Sequence, residues 1–225
     1  MVNAVRALRP TIVRWIGAVA ASLALAGPAQ AVQDAETPMS NQELVEALQA
    51  GGLIMLIRHE RTEVPSRRDD YSRPPNECRA QRNLSLAGMA GSEETGVSLR
   101  ALDIPVGRVI TSPMCRSAET ARFMFGVDYE LDNRLMHHEP GGARNLDVAE
   151  AEVRALLGEL APDMPHSNIA LVSHGGNIIR VSGLRVIEGE IAVLRLDEDG
   201  SITALGQITG SELGFFARWA LEAQD

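Results

Sequence analysis

Lysine is absent: all 21 basic residues of the 225-residue chain are arginine. No arginine here can therefore be read as chosen over lysine for its fork geometry. Aromatic residues are scarce at 4%, which leaves Leu, Val, Ile, Ala and Met to fill the interior. There is no internal repeat and no low-complexity tract, which excludes a solenoid or an array. No apolar run is long enough for a stable transmembrane span. The balance is 45% apolar and 23% charged, with a mean hydropathy of −0.04. Those values exclude a disordered tail, a collagen-like fibre and a multi-span membrane protein, and the length suits one ordinary domain. Positive charge is short as well, with a formal net charge of −9.

The first 31 residues differ from the rest. Met1 to Arg14 carries Arg6, Arg9 and Arg14 and no acid, and Trp15 to Gly27 is uncharged and apolar. Ala29-Gln30-Ala31 has the small-x-small form of a cleavage site. This three-part pattern predicts a secretory signal peptide over 1–31, a polar linker over 32–39 and a domain over 40–225. The expected location is periplasmic or secreted, with no stable membrane anchor after cleavage. Cleavage after Ala31 removes three arginines and no acid, taking the net charge from −9 to −12. So acidic a chain is a poor binder of nucleic acid or anionic membranes, and any anion site must be a local cluster of arginine. Cys78 and Cys115 both fall in the exported part and are expected to pair, tying a long loop to a helix.

Strands and helices alternate along the rest of the chain. Ser40-x-x-Glu43 is a capping box for a helix to about Ala50. Leu53–Ile57, Gly107–Thr111 and Asn168–Ser173 read as short buried strands, and Val127–Leu131 as a further one. Helices are expected over Ser85–Leu102, with Pro113 near the first turn of one running to about Phe125, over Leu146–Leu160, after Gly175, and from a Ser211 cap to about Ala223. Ile191–Leu196 and Ser201–Ile208 flank Asp199-Gly200, a hairpin signal. The pattern predicts a three-layer α/β/α sandwich with a mostly parallel, mixed sheet. Arg58 to Asn83 is a long polar stretch whose conformation the sequence does not give.

Three fragments put Arg or His just past the end of a strand: Arg58-His59-Glu60-Arg61-Thr62, Ser112-Pro113-Met114-Cys115-Arg116, and His174-Gly175-Gly176-Asn177. Open α/β sheets bind ligands at that edge. Two histidines and two arginines would then meet in an anion site with an imidazole inside it. A dianionic phosphomonoester repels anionic nucleophiles, whereas a neutral imidazole can attack phosphorus and form a phosphohistidine. Arg58 and Arg116 can fork onto the phosphoryl oxygens, with a protonated His174 as a third donor.

LIRHERTE, SPMCRSAETA and LVSHGGN resemble the three motifs of the histidine phosphatase superfamily, in the branch with the cofactor-dependent phosphoglycerate mutases. The resemblance spans about residues 50–208 and implies a phosphoglycerate mutase-like fold. It implies His59 as nucleophile, Arg58, Arg116 and His174 as the phosphate pocket, and Thr62 on the pocket side. Asn83-Leu84-Ser85-x-x-Gly88 is similar to the family segment that opens the next helix. Glu60 stands where the family usually has glycine. Thr62 and Gly175 depart from the acid phosphatase and phytase branch. The family's general acid, a Glu after the third strand, falls to Glu139, with His137 and His138 as alternatives. Export argues against a glycolytic mutase and favours similarity to exported relatives such as a lipopolysaccharide-core heptose phosphatase.

The expected activity is metal-independent hydrolysis of a small-molecule or glycan phosphomonoester, with no cofactor. Neighbouring His137 and His138 do not make a helical ligand pair, so no metal site is expected. The alternative is a module that binds a phosphorylated ligand with weak or no turnover.

Overall fold

The computed structural model describes residues 38–63, 68–139, 142–143, 145–160 and 166–223. The segment expected to be a signal peptide, 1–31, and the expected linker up to residue 37 lie outside the described residues. Met39, read as linker, donates its N–H to Leu205 O at 2.9 Å and packs on the core.

The Ser40 capping box is present, with Ser40 Oγ accepting from Glu43 N, and opens α1 (Asn41–Ala50). The chain continues through β1 (Ile54–Arg58), α2 (Leu86–Ala101), β2 (Val106–Thr111), α3 (Cys115–Phe125) and β3 (Glu130–Leu131). A short hairpin of β4 (His138–Glu139) and β5 (Gly142–Ala143) leads to α4 (Leu146–Leu160). Then follow β6 (Asn168–Ser173), α5 (Gly175–Ser182), β7 (Ile191–Leu196), β8 (Ile202–Ile208) and α6 (Gly210–Glu222).

The six-stranded sheet has the order β3-β2-β6-β1-β7-β8. The first four strands are mutually parallel and the last two antiparallel, so the sheet is mixed. Residues of β1 alternate between two cores, as a pleated strand requires. Met55 and Ile57 join Leu44, Leu48, Leu99, Met124 and Leu213 on the face covered by α1, α2, α3 and α6. Ile54 and Leu56 join Val153, Leu156, Leu157 and Ile178 on the face covered by α4 and α5. This is the expected three-layer α/β/α sandwich.

Three boundaries differ from the sequence reading. The strand expected over Val127–Leu131 keeps only Glu130–Leu131, with Val127 exposed. Pro113 stands outside α3, which starts at Cys115 after Met114. The last helix is capped by Thr209 through a box with Glu212, not by Ser211. The long segment after β1 turns back on itself. Asp70 N donates to Ala80 O at 2.8 Å, and Gln81 Nε2 to Pro75 O at 2.6 Å. Thr62 bridges to Leu84, and Cys78 is disulfide-bonded to Cys115 at the start of α3.

Candidate active site

The order β2-β6-β1 decides where the three motifs meet. These strands are parallel neighbours, so their C-terminal ends share one edge of the sheet. Arg58 ends β1, His174 follows β6 in the centre, and Ser112 follows β2. A cavity of about 860 Å³ opens there, lined among others by Arg58, His59, Arg116, His174 and the Gly175-Gly176 start of α5.

His59 is 3% exposed, and its Nδ1 lies 2.9 Å from Glu60 O. A carbonyl only accepts, so Nδ1 carries the proton and the neutral ring keeps its lone pair on Nε2. Burial, and then the Arg116 guanidinium, push the His59 imidazole well below its usual value of 6.5; Arg58 and Arg82 act in the same direction. The ring is therefore neutral at neutral pH, the form a nucleophile requires.

His174 is also buried, with Nε2 3.0 Å from Ser112 Oγ and 3.5 Å from Ser117 Oγ. Its ring meets that of His59 edge-on at 5.3 Å. The His137 ring lies 4.3 Å from it on another side, and Tyr71 lies 6.0 Å beyond His137. The chain before His137 is pinned to the site. Asn177 Nδ2 donates to Leu135 O at 3.0 Å and Met136 O at 3.1 Å, and Ser173 Oγ donates to Leu135 O at 2.9 Å.

Arg116 is 1% exposed, and its Nη1 meets Asp69 Oδ1 at 3.1 Å. Asp69 also accepts from Arg82 N at 2.8 Å and Tyr71 OH at 3.4 Å, so the long segment delivers a carboxylate into the site. Arg58 Nη1 donates to Val186 O at 3.0 Å. Arg58, Arg82 and Arg116 each retain a buried Nε–H with no acceptor among the described residues. Buried donors left this way are costly and call for an acceptor. Tetrahedral oxyanions supply several acceptor oxygens at once.

The structure brings Arg58, His59, Arg116 and His174 together, and it places Thr62 outside the cavity lining, with Oγ1 3.4 Å from Glu188 Oε1. Glu139 lies in the β4–β5 hairpin, and its side chain and that of His138 are outside the described residues. From that segment, the described side chain that lines the cavity is His137. Glu60 turns away to a place where Gly91 and Gly189 leave it room. A Cβ on Gly189, at φ +85°, would stand 2.2 Å from Glu60 Oε1. The sequence reading missed Arg68, Asp69, Tyr71, Arg82 and Arg185, all in the lining. The signal for the first four was the density of charge in the long segment.

No protein-family model matches the chain, and no curated protein does. Solved structures do match. The protein histidine phosphatase SixA, complexed with tungstate, is similar with a TM-score of 0.50 and 20% identity over 72% of this chain and 99% of that one. A mycobacterial glucosyl-3-phosphoglycerate phosphatase with inorganic phosphate is similar at 0.51 and 16%, over 73% and 99%. A phosphoserine phosphatase mutant of Entamoeba histolytica, in complex with phosphoserine, is similar at 0.52 and 14%, over 72% and 98%. The architecture is thus of the phosphoglycerate mutase-like class. The chain carries the fold of the histidine phosphatase superfamily.

Proposed function

We propose that the protein is an exported phosphatase that hydrolyses a phosphomonoester through a phosphohistidine on His59, without a metal ion. The observation that carries this reading is a buried histidine whose Nδ1 faces the Glu60 carbonyl, beside three arginines whose buried Nε–H groups have no acceptor among the described residues. In the first step His59 Nε2 attacks phosphorus and the ester P–O bond breaks. Its electron pair leaves with the alkoxide, which takes a proton from a general acid. In the second step the deprotonated general acid takes a proton from a water molecule that attacks the phosphohistidine; the P–N bond breaks, returning inorganic phosphate, free His59 and the acid in its starting form. Arg58, Arg82, Arg116 and His174 hold the phosphoryl oxygens through both steps, since such transfers are accelerated mainly by positioning and charge stabilisation.

Glu139 is the proposed general acid and His137 the second candidate. Glu139→Gln should then slow an alkyl phosphate far more than p-nitrophenyl phosphate, whose good leaving group needs little protonation. Equal effects on both substrates would transfer the role to His137. The N-terminal pattern and the bonded Cys78–Cys115 pair support export, because disulfides persist in oxidising compartments. N-terminal sequencing of the exported protein tests it, with cleavage after Ala31 expected.

Rapid quench with labelled substrate tests the chemistry. An acid-labile, alkali-stable phosphoprotein is expected from the native chain and none from His59→Ala. Near-normal activity in His59→Ala would remove the nucleophile assignment. Tight phosphate binding without turnover would favour the binding-module alternative.

A further inference from the structure

We infer that the substrate carries a second anionic group besides the phosphoryl group that is transferred, and that Arg68 and Arg185 receive it. The inference rests on the phosphatase reading and deepens it.

Charge in the cavity does not close on a single phosphate. Among the described residues five arginines line it, Arg58, Arg68, Arg82, Arg116 and Arg185, against one carboxylate, Asp69, in a chain whose net charge is −9. Asp69 sits on Arg116. Glu188 reaches Arg58 at 3.7 Å and Arg82 at 3.9 Å, near the limit of an ion pair. With both carboxylates counted in full, a dianionic phosphoryl group still leaves one positive charge, and with Glu188 discounted it leaves two. One more anionic group closes the balance, a carboxylate in the first case and a second phosphate in the other.

Position separates the two tasks. Arg58, Arg82 and Arg116 all act electrostatically on His59 and hold the orphaned Nε–H donors, so the phosphoryl group belongs to them. Arg68 and Arg185 do neither. They are exposed, come from opposite ends of the fold's sequence, and make no ion pair among the described residues. At about 860 Å³ the cavity is far larger than one phosphoryl group and falls in the range of sites for whole small molecules. Tyr71, Ile179 and Val186 supply apolar wall for the body of the leaving group. A leaving group that spans this wall and ends in a carboxylate or a second phosphate would place that end among the outer arginines.

The test uses two pairs of phosphate esters, both members of each pair leaving as a primary alkoxide on the same carbon skeleton. The pairs are glycerol 3-phosphate with 3-phosphoglycerate, and sorbitol 6-phosphate with 6-phosphogluconate. Within each pair a hydroxymethyl group is exchanged for a carboxylate. For the full chain, kcat/KM is expected to be at least tenfold higher for the carboxylate member of one or both pairs. In the double variant Arg68→Ala/Arg185→Ala that ratio should fall towards one. Binding of the same four esters, followed by calorimetry, reads the same ratio in a protein that does not turn over. Absence of turnover with a retained binding preference overturns the phosphatase reading and keeps this inference. Ratios near one in both pairs, or a ratio that survives the double variant, overturn the inference itself.

Discussion

His59 owes its chemistry to its surroundings more than to its residue type. Burial and neighbouring guanidiniums both disfavour the imidazolium, and the Glu60 carbonyl opposes them without prevailing. In an NMR titration the His59 ring should therefore stay neutral through pH 6.5 and take up a proton only well below it. A midpoint near 6.5 would mean that the site is wetter and less positive than described. The same shift bears on stability. Folding lowers the affinity of this imidazole for a proton, so its contribution is intact above about pH 6.5 and is lost as the pH falls through the folded-state value. Asp69 and Arg116 form the other buried device, at 9% and 1% side-chain exposure. Removing one partner of such a pair typically costs about 3–5 kcal/mol, because the remaining charge stays buried. Asp69→Asn should lower the unfolding free energy by that order, read as a lowered unfolding midpoint. Inorganic phosphate, which can replace the carboxylate on Arg116, should raise the variant's midpoint more than the native protein's. Equal shifts would mean that Asp69 does not share Arg116 with the anion. Arg58, His59, Arg116 and His174 were legible in the sequence because each follows an apolar strand by a few positions. Asp69 was not, because its partner Arg116 lies 47 residues further along the chain.

At the scale of elements, α2 shows how a local signal misleads. Its three glycines, Gly88, Gly91 and Gly96, look like weaknesses, and helix propensity alone would count them as costs. Each is a place where something approaches closely. A Cβ on Gly88 would stand 2.1 Å from Arg61 O, and one on Gly96 would stand 2.0 Å from Met124 O, at the contact of α2 with α3. Both contacts are with backbone, which cannot swing aside as a side chain does. Gly96→Ala should therefore destabilise the fold by about 1–3 kcal/mol, the usual cost of overpacking, in spite of alanine's better propensity. A stabilised variant in denaturant unfolding would show that α2 can move off α3. The buried strands and most helices were legible from apolar runs and caps. The β4–β5 hairpin and the folded segment after β1 were not. Their form rests on single long-range contacts such as Gln81 Oε1 accepting from Cys115 N at 3.1 Å. The Cys78–Cys115 bond closes a separation of 37 residues, worth about 4 kcal/mol in the chain-entropy account. Reduction should lower the melting temperature, and an unchanged melt would show that the segment is already held by its hydrogen bonds.

Over the whole molecule the notable property is segregation of charge. The chain is acidic at −9, yet among the described residues five arginines and one carboxylate line the cavity at the C-terminal edge of the sheet. A dianionic substrate is repelled by the molecule as a whole and attracted by one mouth. These two effects respond to salt with opposite sign. Screening of the general repulsion would raise the association rate, whereas screening of a local positive cleft lowers it. The cleft acts at short range on the approaching substrate, and its low-dielectric walls concentrate its field, so it should dominate the last part of the encounter. The expected result is that kcat/KM for a dianionic ester falls steadily as ionic strength rises from about 10 mM to about 500 mM, in step with a Debye length that shrinks from ~30 Å to a few Å. Arg185→Ala should flatten the slope, since Arg185 lines the cavity and is exposed to the approaching ester. A rate that rises with salt would show that the net charge of the whole chain, rather than its arginine-lined cavity, governs access to His59.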